Sequence, residues 1–304
     1  MHLERSTLVY PATDWKLLEN ALSSPADRVL IDLDDLVATQ NKTGARKNAA
    51  KALVDLDWEN RPRAFRINAW NTPYAYSDLS EILSEAGKSV DLLVVPKIDR
   101  PEEVVWVDSL LTQLENTLGL QHSIQLELQI ESAEALLKVG EIARASRRTE
   151  ALIFGRGDFA ASMGFPLATC QMSAAEQNRL QWQYPLYQIA VAASAAQMRT
   201  IDGPYADIDD LIGFRASCEE SNCLGYQGKW CLNLEQVQIA NQVFCPSNEQ
   251  IQYAIEILTT YEQATANGDT LVFLQGKLID AAVVRSANFT LNRARLITGA
   301  DRQT

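Results

Sequence analysis

Residues Ile124–Ser132 (IQLELQIES) and Glu150–Asp158 (EALIFGRGD) are apolar runs of strand length, separated by Ala133–Ser146, which has helical spacing. A strand, a helix and a second strand in that order form one βα step of a parallel sheet. The same step recurs in both directions. Strands are expected at Ser6–Ala12, Arg28–Asp35, Pro62–Trp70, Leu92–Ile98, Arg199–Tyr205 and Tyr226–Leu232, with helical patterns such as Asp14–Leu22, Lys42–Leu56, Ser77–Ala86 and Pro101–Leu118 between them. Several of these helices open on a capping residue or a proline, as helix starts do. Eight units in about 245 residues predict a (β/α)8 TIM barrel in preference to a doubly wound sheet, which commonly has five or six strands. Beyond Pro246 come a helical stretch to about Thr265, a polar turn Asn267-Gly268-Asp269, the short run LVFLQGKLID and a last helix. The chain therefore reads as a barrel over residues 1–245 with a C-terminal helical extension over 246–304.

Composition narrows the function. The 304 residues are 47% hydrophobic and 22% charged, and no apolar run approaches the ~20 residues that cross a bilayer. No secretory leader is evident at the start, so a soluble, cytoplasmic protein with no membrane partner is expected. Thirty-nine acidic against 27 basic residues give a net charge of −12, which argues against a nucleic-acid partner. Only two histidines, His2 and His122, are available to a Ser-His-Asp or Cys-His system or to a His-rich zinc site. Chemistry on carboxylates is the remaining expectation. Cys170, Cys218, Cys223, Cys231 and Cys245 have no C-x-x-C spacing and read as mostly buried small hydrophobes.

In such a barrel, polar residues at the C-terminal strand ends face the active site. The strand ends supply Asp32, Asp34 and Asp35, then Arg66 and Asn68, Pro96 and Lys97, Glu131, Asp158, Asp202 and Lys229. Glu131 and Asp158 close consecutive strands, and two carboxylates confined together repel unless a cation neutralises them. With no His or Cys nearby, Mg²⁺ suits them; the competing reading is that either acid caps the helix that follows. Arg66, between Phe65 and Ile67, is suited to bidentate capture of a substrate carboxylate, or to an internal salt bridge with Asp32, Asp34 or Asp35. His122 precedes its strand and belongs to the opposite face. There is no P-loop, and Gly155-x-Gly157 lacks the third glycine of a dinucleotide fingerprint.

The ordered motifs RSTLVYP, VLIDLDD followed by Lys42-x-x-Ala45-Arg46, FRIN, VVPK, IES, FGRGDFAASMG, IDGPY, GYQGKW and VFCPS resemble the HpcH/HpaI aldolase and citrate lyase β-subunit superfamily, most closely its CitE-like branch, over residues 5 to about 290. The resemblance implies a TIM barrel and a Mg²⁺-dependent lyase that cleaves a short 3-hydroxyacyl-CoA such as malyl-, citramalyl- or citryl-CoA into a 2-oxoacid and an acyl-CoA. It places the metal on Glu131 and Asp158, the 2-oxoacid on Arg66, Gly155, Pro96 and Lys97, and the coenzyme A thioester on Arg5, Lys42 and Arg46. Asp35 joins Arg66 as a catalytic candidate. Asp280, in GKLID, matches an aspartate that malyl-CoA lyase-like members donate to a neighbouring subunit, which implies a homo-oligomer, a trimer or a multiple of one. A malyl-CoA-type thioesterase, a CoA-independent 2-oxoacid aldolase and a non-catalytic subunit are the alternatives. Asp34-Asp35 stands where the pyruvate-aldolase branch has a histidine, which disfavours the histidine-dependent aldolase. Pro11-Ala12, Asp34, Gly157 and Asn233-Leu234 also depart from the family's usual residues.

Overall fold

Strands of a barrel are covered on both faces, so successive residues alternate between the lumen and the surrounding helices. The computed structural model describes residues 3–165, 174–268 and 271–298; His2, Cys170 and Asp269 lie outside them. Eight parallel strands close into a barrel: β1 (Ser6–Pro11), β2 (Arg28–Asp32), β3 (Ala64–Arg66), β4 (Leu92–Val95), β5 (Gln125–Ile130), β6 (Thr149–Phe154), β7 (Arg199–Asp202) and β8 (Gly228–Cys231). The seam between β1 and β8 pairs Ser6 with Lys229 and Leu8 with Cys231. The TIM-barrel expectation is met, and every strand falls within its expected stretch apart from Thr149, with which β6 starts one residue early.

The expected strands overrun at their C-terminal ends. Apolar residues such as Leu33, Ile67 and Ile98 continue the pattern and are fully buried, but they belong to the loops that build the mouth. A single ladder-like hydrogen bond extends past some strands, as from the Leu33 N–H to the Arg66 carbonyl and from the Gly155 N–H to the Ile130 carbonyl. Helix Pro101–Leu118 forms as expected, and Asp14 caps helix Trp15–Leu22 by accepting from the Leu17 N–H. The stretch 133–146 instead holds two short helices, Ala133–Leu137 and Val139–Ile142, broken at Lys138.

The lumen is packed. Val9, Leu30, Ala64, Leu92, Val94, Ala151, Ile153, Ile201 and Trp230 form one buried cluster drawn from every strand except β5. In β5 the apolar residues Leu126, Leu128 and Ile130 occupy the alternate positions, so Glu127 and Gln129 share the lumen side with Glu131 beyond them. At the N-terminal end, Arg28 donates to Glu4 (2.6 Å) and Glu127 (2.7 Å), and Arg199 to Glu127 (2.9 Å) and to Glu4. Two guanidiniums and two carboxylates thus neutralise one another where water is excluded. His122 lies on this face as expected, its Nε2 donating to the Val90 carbonyl (2.7 Å). Cys218 and Cys231 are buried, whereas Cys245 is half-buried and Cys223 exposed.

Contacts divide the chain into Glu4–Asn241 and a second unit from Gln242 onward. The latter contains helix Asn248–Asn267, the antiparallel hairpin β9 (Val272–Leu274) and β10 (Lys277–Ile279), and helix Ala281–Thr298. Gln275 and Gly276 both have positive φ (50° and 77°), the conformation of a tight two-residue hairpin turn. The run LVFLQGKLID is therefore a hairpin within the helical extension. Ala254, Ile257, Val272, Ile279 and Ala287 form its core.

Gly228 opens β8 against the chain entering β1, and a Cβ there would meet the Glu4 carbonyl oxygen at 1.7 Å. Gly228→Ala must therefore displace backbone at the closing seam. A loss of at least about 1–3 kcal/mol in urea unfolding is expected; an unchanged midpoint would show that the seam yields freely.

Candidate active site

The lumen-facing positions at the C-terminal end carry Asp32, Arg66, Gln129, Glu131 and Gly155, at or just beyond the ends of β2, β3, β5 and β6. Arg66 is 5% exposed. Its Nε and Nη2 donate to the two carboxylate oxygens of Asp32 (2.5 and 2.9 Å), and Nη1 reaches Gln129 Oε1 (3.2 Å) and Asp35 Oδ2 (3.4 Å). The guanidinium lies over the Trp230 ring, 5.3 Å from its centroid. Burial opposes its charge, but Asp32 overcomes this and holds the group more firmly protonated than usual. Asp32 also accepts the backbone N–H groups of Asp34 and Leu36 (both 3.0 Å), which shapes the loop after β2. The internal salt bridge is thus realised. One edge of Arg66 is committed to Asp32, and its Nη1 end faces the mouth.

Glu131 is 3% exposed, and its Oε2 has no hydrogen-bond partner among the described residues. Burial, opposed by Arg66 and aided by the Asp158 charge, pushes its carboxyl up to about 8. Gly155 makes room for it: a Cβ there would lie 2.4 Å from Glu131 Cγ and 2.7 Å from Oε1. Asp158 does not close β6. The strand ends at Phe154, Gly155 sits at the N-cap, and Asp158 is exposed in the first turn of helix Arg156–Ser162. An acid in that turn suits the helix dipole. Its negative charge nevertheless disfavours ionisation of Glu131.

Lys97 has φ +54°, an uncommon backbone state for a side chain of its kind. It donates to Asp34 Oδ2 (3.1 Å) and Asp35 Oδ1 (2.8 Å) and so bridges the loops after β4 and β2. Lys97 and Arg66 hold Asp35 below the usual carboxylate range despite partial burial. Pro96, just before it, is buried. Lys42 is buried and donates to the carbonyls of Leu33 and Asp34 (both 2.7 Å), while Arg46 pairs with Asp78 (3.0 Å) and Glu81 (2.9 Å). Lys42 thus braces the β2 loop, while Arg46 ties its own helix to helix Ala75–Ala86. Arg5 precedes β1 at the opposite end of the barrel and grips Asp27 through Nε and Nη2 (both 2.8 Å). Asp202 and Lys229 pair with each other but have the outward parity, facing the helix layer beside Phe214. They belong behind the mouth. Asp280 lies in the C-terminal unit, where its side chain accepts the N–H groups of Ala282 and Val283 (both 2.9 Å) and caps the last helix.

Gln129 was not foreseen. The signal was present in LELQIE, whose polar residues alternate within a buried strand and so must share the lumen.

Four carboxylates, those of Asp32, Asp34, Asp35 and Glu131, lie about two cations, Arg66 and Lys97, and the Asp158 charge acts on Glu131. No group of three or more His, Cys, Asp and Glu side chains suited to a metal occurs among the described residues. A buried orphaned oxygen on Glu131, a second acid nearby and a glycine cradle fit Mg²⁺, which takes one or two carboxylates and completes its shell with water and substrate oxygens.

Comparison with known proteins finds relatives along nearly the whole chain. A family model described as HpcH/HpaI aldolase/citrate lyase matches residues 5–234. An L-malyl-CoA/beta-methylmalyl-CoA lyase of Rhodobacter capsulatus is 37% identical over 97% of this chain and 95% of its own length. Among solved structures, a citrate lyase from Burkholderia xenovorans LB400 superposes with TM-score 0.85 at 21% identity, covering 98% of this chain and 93% of that one. CitE of Mycobacterium tuberculosis, in complex with magnesium, acetoacetate and coenzyme A, has TM-score 0.76 at 24% identity, with 96% and 98% covered.

Without a cation, the folded protein holds a proton on Glu131 up to about pH 8, whereas the unfolded chain releases it near the ordinary glutamate value of 4.5. The folded state binds more protons in that window, so this group's contribution to stability falls as pH rises through it. In chelator, Glu131→Gln should gain on the wild type by up to about 1.4 kcal/mol per pH unit between pH 5 and 8. Urea unfolding across that range checks this; a pH-independent difference would contradict the placement of Glu131.

Proposed function

The chain belongs to the HpcH/HpaI aldolase/citrate lyase family, and from that membership we propose that it is a Mg²⁺-dependent carbon–carbon lyase acting on a short 3-hydroxyacyl-CoA of the malyl-CoA or β-methylmalyl-CoA kind. The observation that carries this reading is a clamped arginine beside an orphaned buried carboxylate in one barrel mouth. The first suits a carboxylate on the substrate, and the second suits a cation.

Glu131 and Asp158 would hold the Mg²⁺, which would supply Lewis acidity toward the substrate hydroxyl and the 2-oxoacid carbonyl. Arg66, oriented by Asp32, meets the substrate carboxylate through its Nη1 end. Gly155 leaves the backbone open to the same ligand, and Pro96 and Lys97 wall the β4 side. Asp35 is exposed and ionised beside Lys97 and Arg66, so it is placed to receive the hydroxyl proton. As that proton leaves, the C–O bond becomes a carbonyl, the C2–C3 bond breaks, and its electron pair enters the thioester as an enolate. Malyl-CoA would thereby give glyoxylate and, after protonation of the enolate, acetyl-CoA.

Protonation falls to Asp280 of a neighbouring copy, in a homo-oligomer of three subunits or a multiple. The exposure of Leu271 (67%), Phe273 (57%) and Leu278 (50%) on the hairpin leading to Asp280 supports this, because such apolar surface is best buried against another chain. Arg5, Lys42 and Arg46 are spent on internal partners, so we assign them to support of the barrel and its β2 loop rather than to coenzyme A. Among the described residues no helix is long and apolar enough to cross a membrane, in keeping with a cytoplasmic enzyme.

The test is incubation with Mg²⁺ and malyl-, β-methylmalyl-, citramalyl- or citryl-CoA, with 2-oxoacid and free CoA measured separately. Oxoacid should appear without free CoA and vanish in EDTA; free CoA without oxoacid would mean a thioesterase. Glu131→Ala should abolish turnover. Arg66→Gln should lower kcat/KM by about 10- to 150-fold, the loss of a charge-assisted hydrogen bond worth ~1.5–3 kcal/mol.

A further inference from the structure

Behind the mouth, three charged side chains join the ends of three consecutive barrel units. Arg156 is 7% exposed and opens the helix that carries Asp158 two residues later. Its Nε and Nη2 grip Asp202 Oδ1 (3.0 Å) and Oδ2 (2.8 Å) as a fork. Its guanidinium lies 5.4 Å from the Trp182 ring centroid and 5.9 Å from that of Phe154. Asp202, fully buried at the end of β7, also accepts from the fully buried Lys229 of β8. The neighbouring backbone is equally constrained: a Cβ on Gly203 would lie 2.1 Å from the Phe154 carbonyl oxygen. The ends of β6 and β7 are thus in contact where the turn to Asp158 begins.

Burying such a cluster costs desolvation that apolar residues of similar size would avoid, so stability alone does not explain it. What it fixes is the orientation of a short turn. We propose that Arg156, held by Asp202 and Lys229, is a positioning residue that sets the Gly155–Asp158 turn, and with it the approach of the Asp158 carboxylate to the cation it shares with Glu131. This rests on the reading that Glu131 and Asp158 hold Mg²⁺. Arg156 itself touches neither cation nor substrate and acts from the outward face of the barrel. A ligand on an exposed first turn has few contacts of its own, and groups that orient metal ligands commonly govern affinity by about 10- to 100-fold.

The test compares wild type, Arg156→Gln, Arg156→Lys and Glu131→Ala for Mn²⁺ binding by calorimetry, with melting temperature recorded for each. Arg156→Gln leaves the Asp202–Lys229 pair intact, and Arg156→Lys keeps the charge but loses the fork. Mn²⁺ binding should weaken about 10- to 100-fold in Arg156→Gln and by an intermediate factor in Arg156→Lys. The apparent activation constant for Mg²⁺ should rise in step. If Glu131→Ala loses Mn²⁺ while both Arg156 variants bind it like wild type and only melt lower, Arg156 is structural and the positioning role is overturned. Should Glu131→Ala bind Mn²⁺ as wild type does, the cation site itself is misassigned and the proposal falls with it. Where Arg156→Gln does not fold, the Arg156→Lys affinity decides alone.

Discussion

The period of two along a strand, imposed on a closed barrel, decides which charges can meet. At the C-terminal end it turns Asp32, Arg66, Gln129 and Glu131 into the lumen and Asp202 and Lys229 away from it. The middle of the lumen is filled by apolar residues from every strand except β5. Charges at the N-terminal end are therefore insulated from those at the mouth, and each set must balance locally. The Arg28–Glu4–Glu127–Arg199 cluster balances itself. The mouth does not.

That imbalance links the electrostatics to the chemistry. Arg66 answers Asp32, and Lys97 answers Asp34 and Asp35, so the loops after β2 and β4 consume the available cations. Glu131 is left with attraction from Arg66 that does not offset its burial and the nearby Asp158 charge. A carboxyl in that position either keeps a proton or takes a metal. The glycine opposite it leaves space for the acid, and its partner Asp158 comes from a helix start. Asp32, by contrast, spends all its acceptor capacity on Arg66 and on two backbone N–H groups. Its task is to hold the arginine, not to react.

The architecture was legible because parallel strands read as apolar runs and helices carry start signals in their own residues, such as Asp14 and Pro101. Strand ends were less so. Leu33, Ile67 and Ile98 are as apolar as strand residues because the loops over a barrel mouth pack inward. The site was legible as residue types, since Glu131, Arg66, Lys97 and Asp35 all come to the mouth. What neighbouring side chains do to one another was not. Sequence order treats Asp202 and Lys229 as mouth residues like any other strand end, and only the parity of each strand assigns them to the outer layer. The internal partners of Arg5 and Lys42 are not legible either, because nothing local in the sequence reveals a long side chain's partner. Asp27 lies 22 residues from Arg5, and the carbonyls that bind Lys42 carry no sequence signal.

A protonated Glu131 also makes cation binding an exchange. Below about pH 8 the folded, metal-free protein keeps the proton that burial forces on it. A metal ligand must be deprotonated, so a cation held by Glu131 as proposed would expel that proton, and its affinity would carry the cost at lower pH. Substrate arriving with its own carboxylate adds negative charge to a mouth already rich in it, which Arg66 alone cannot offset. At a site of the proposed kind, cation and substrate would favour each other's binding: the cation would neutralise the mouth that the substrate must enter, and the substrate would supply the oxygens that two protein carboxylates leave missing. The small number of protein ligands is thus consistent with a site completed by its substrate.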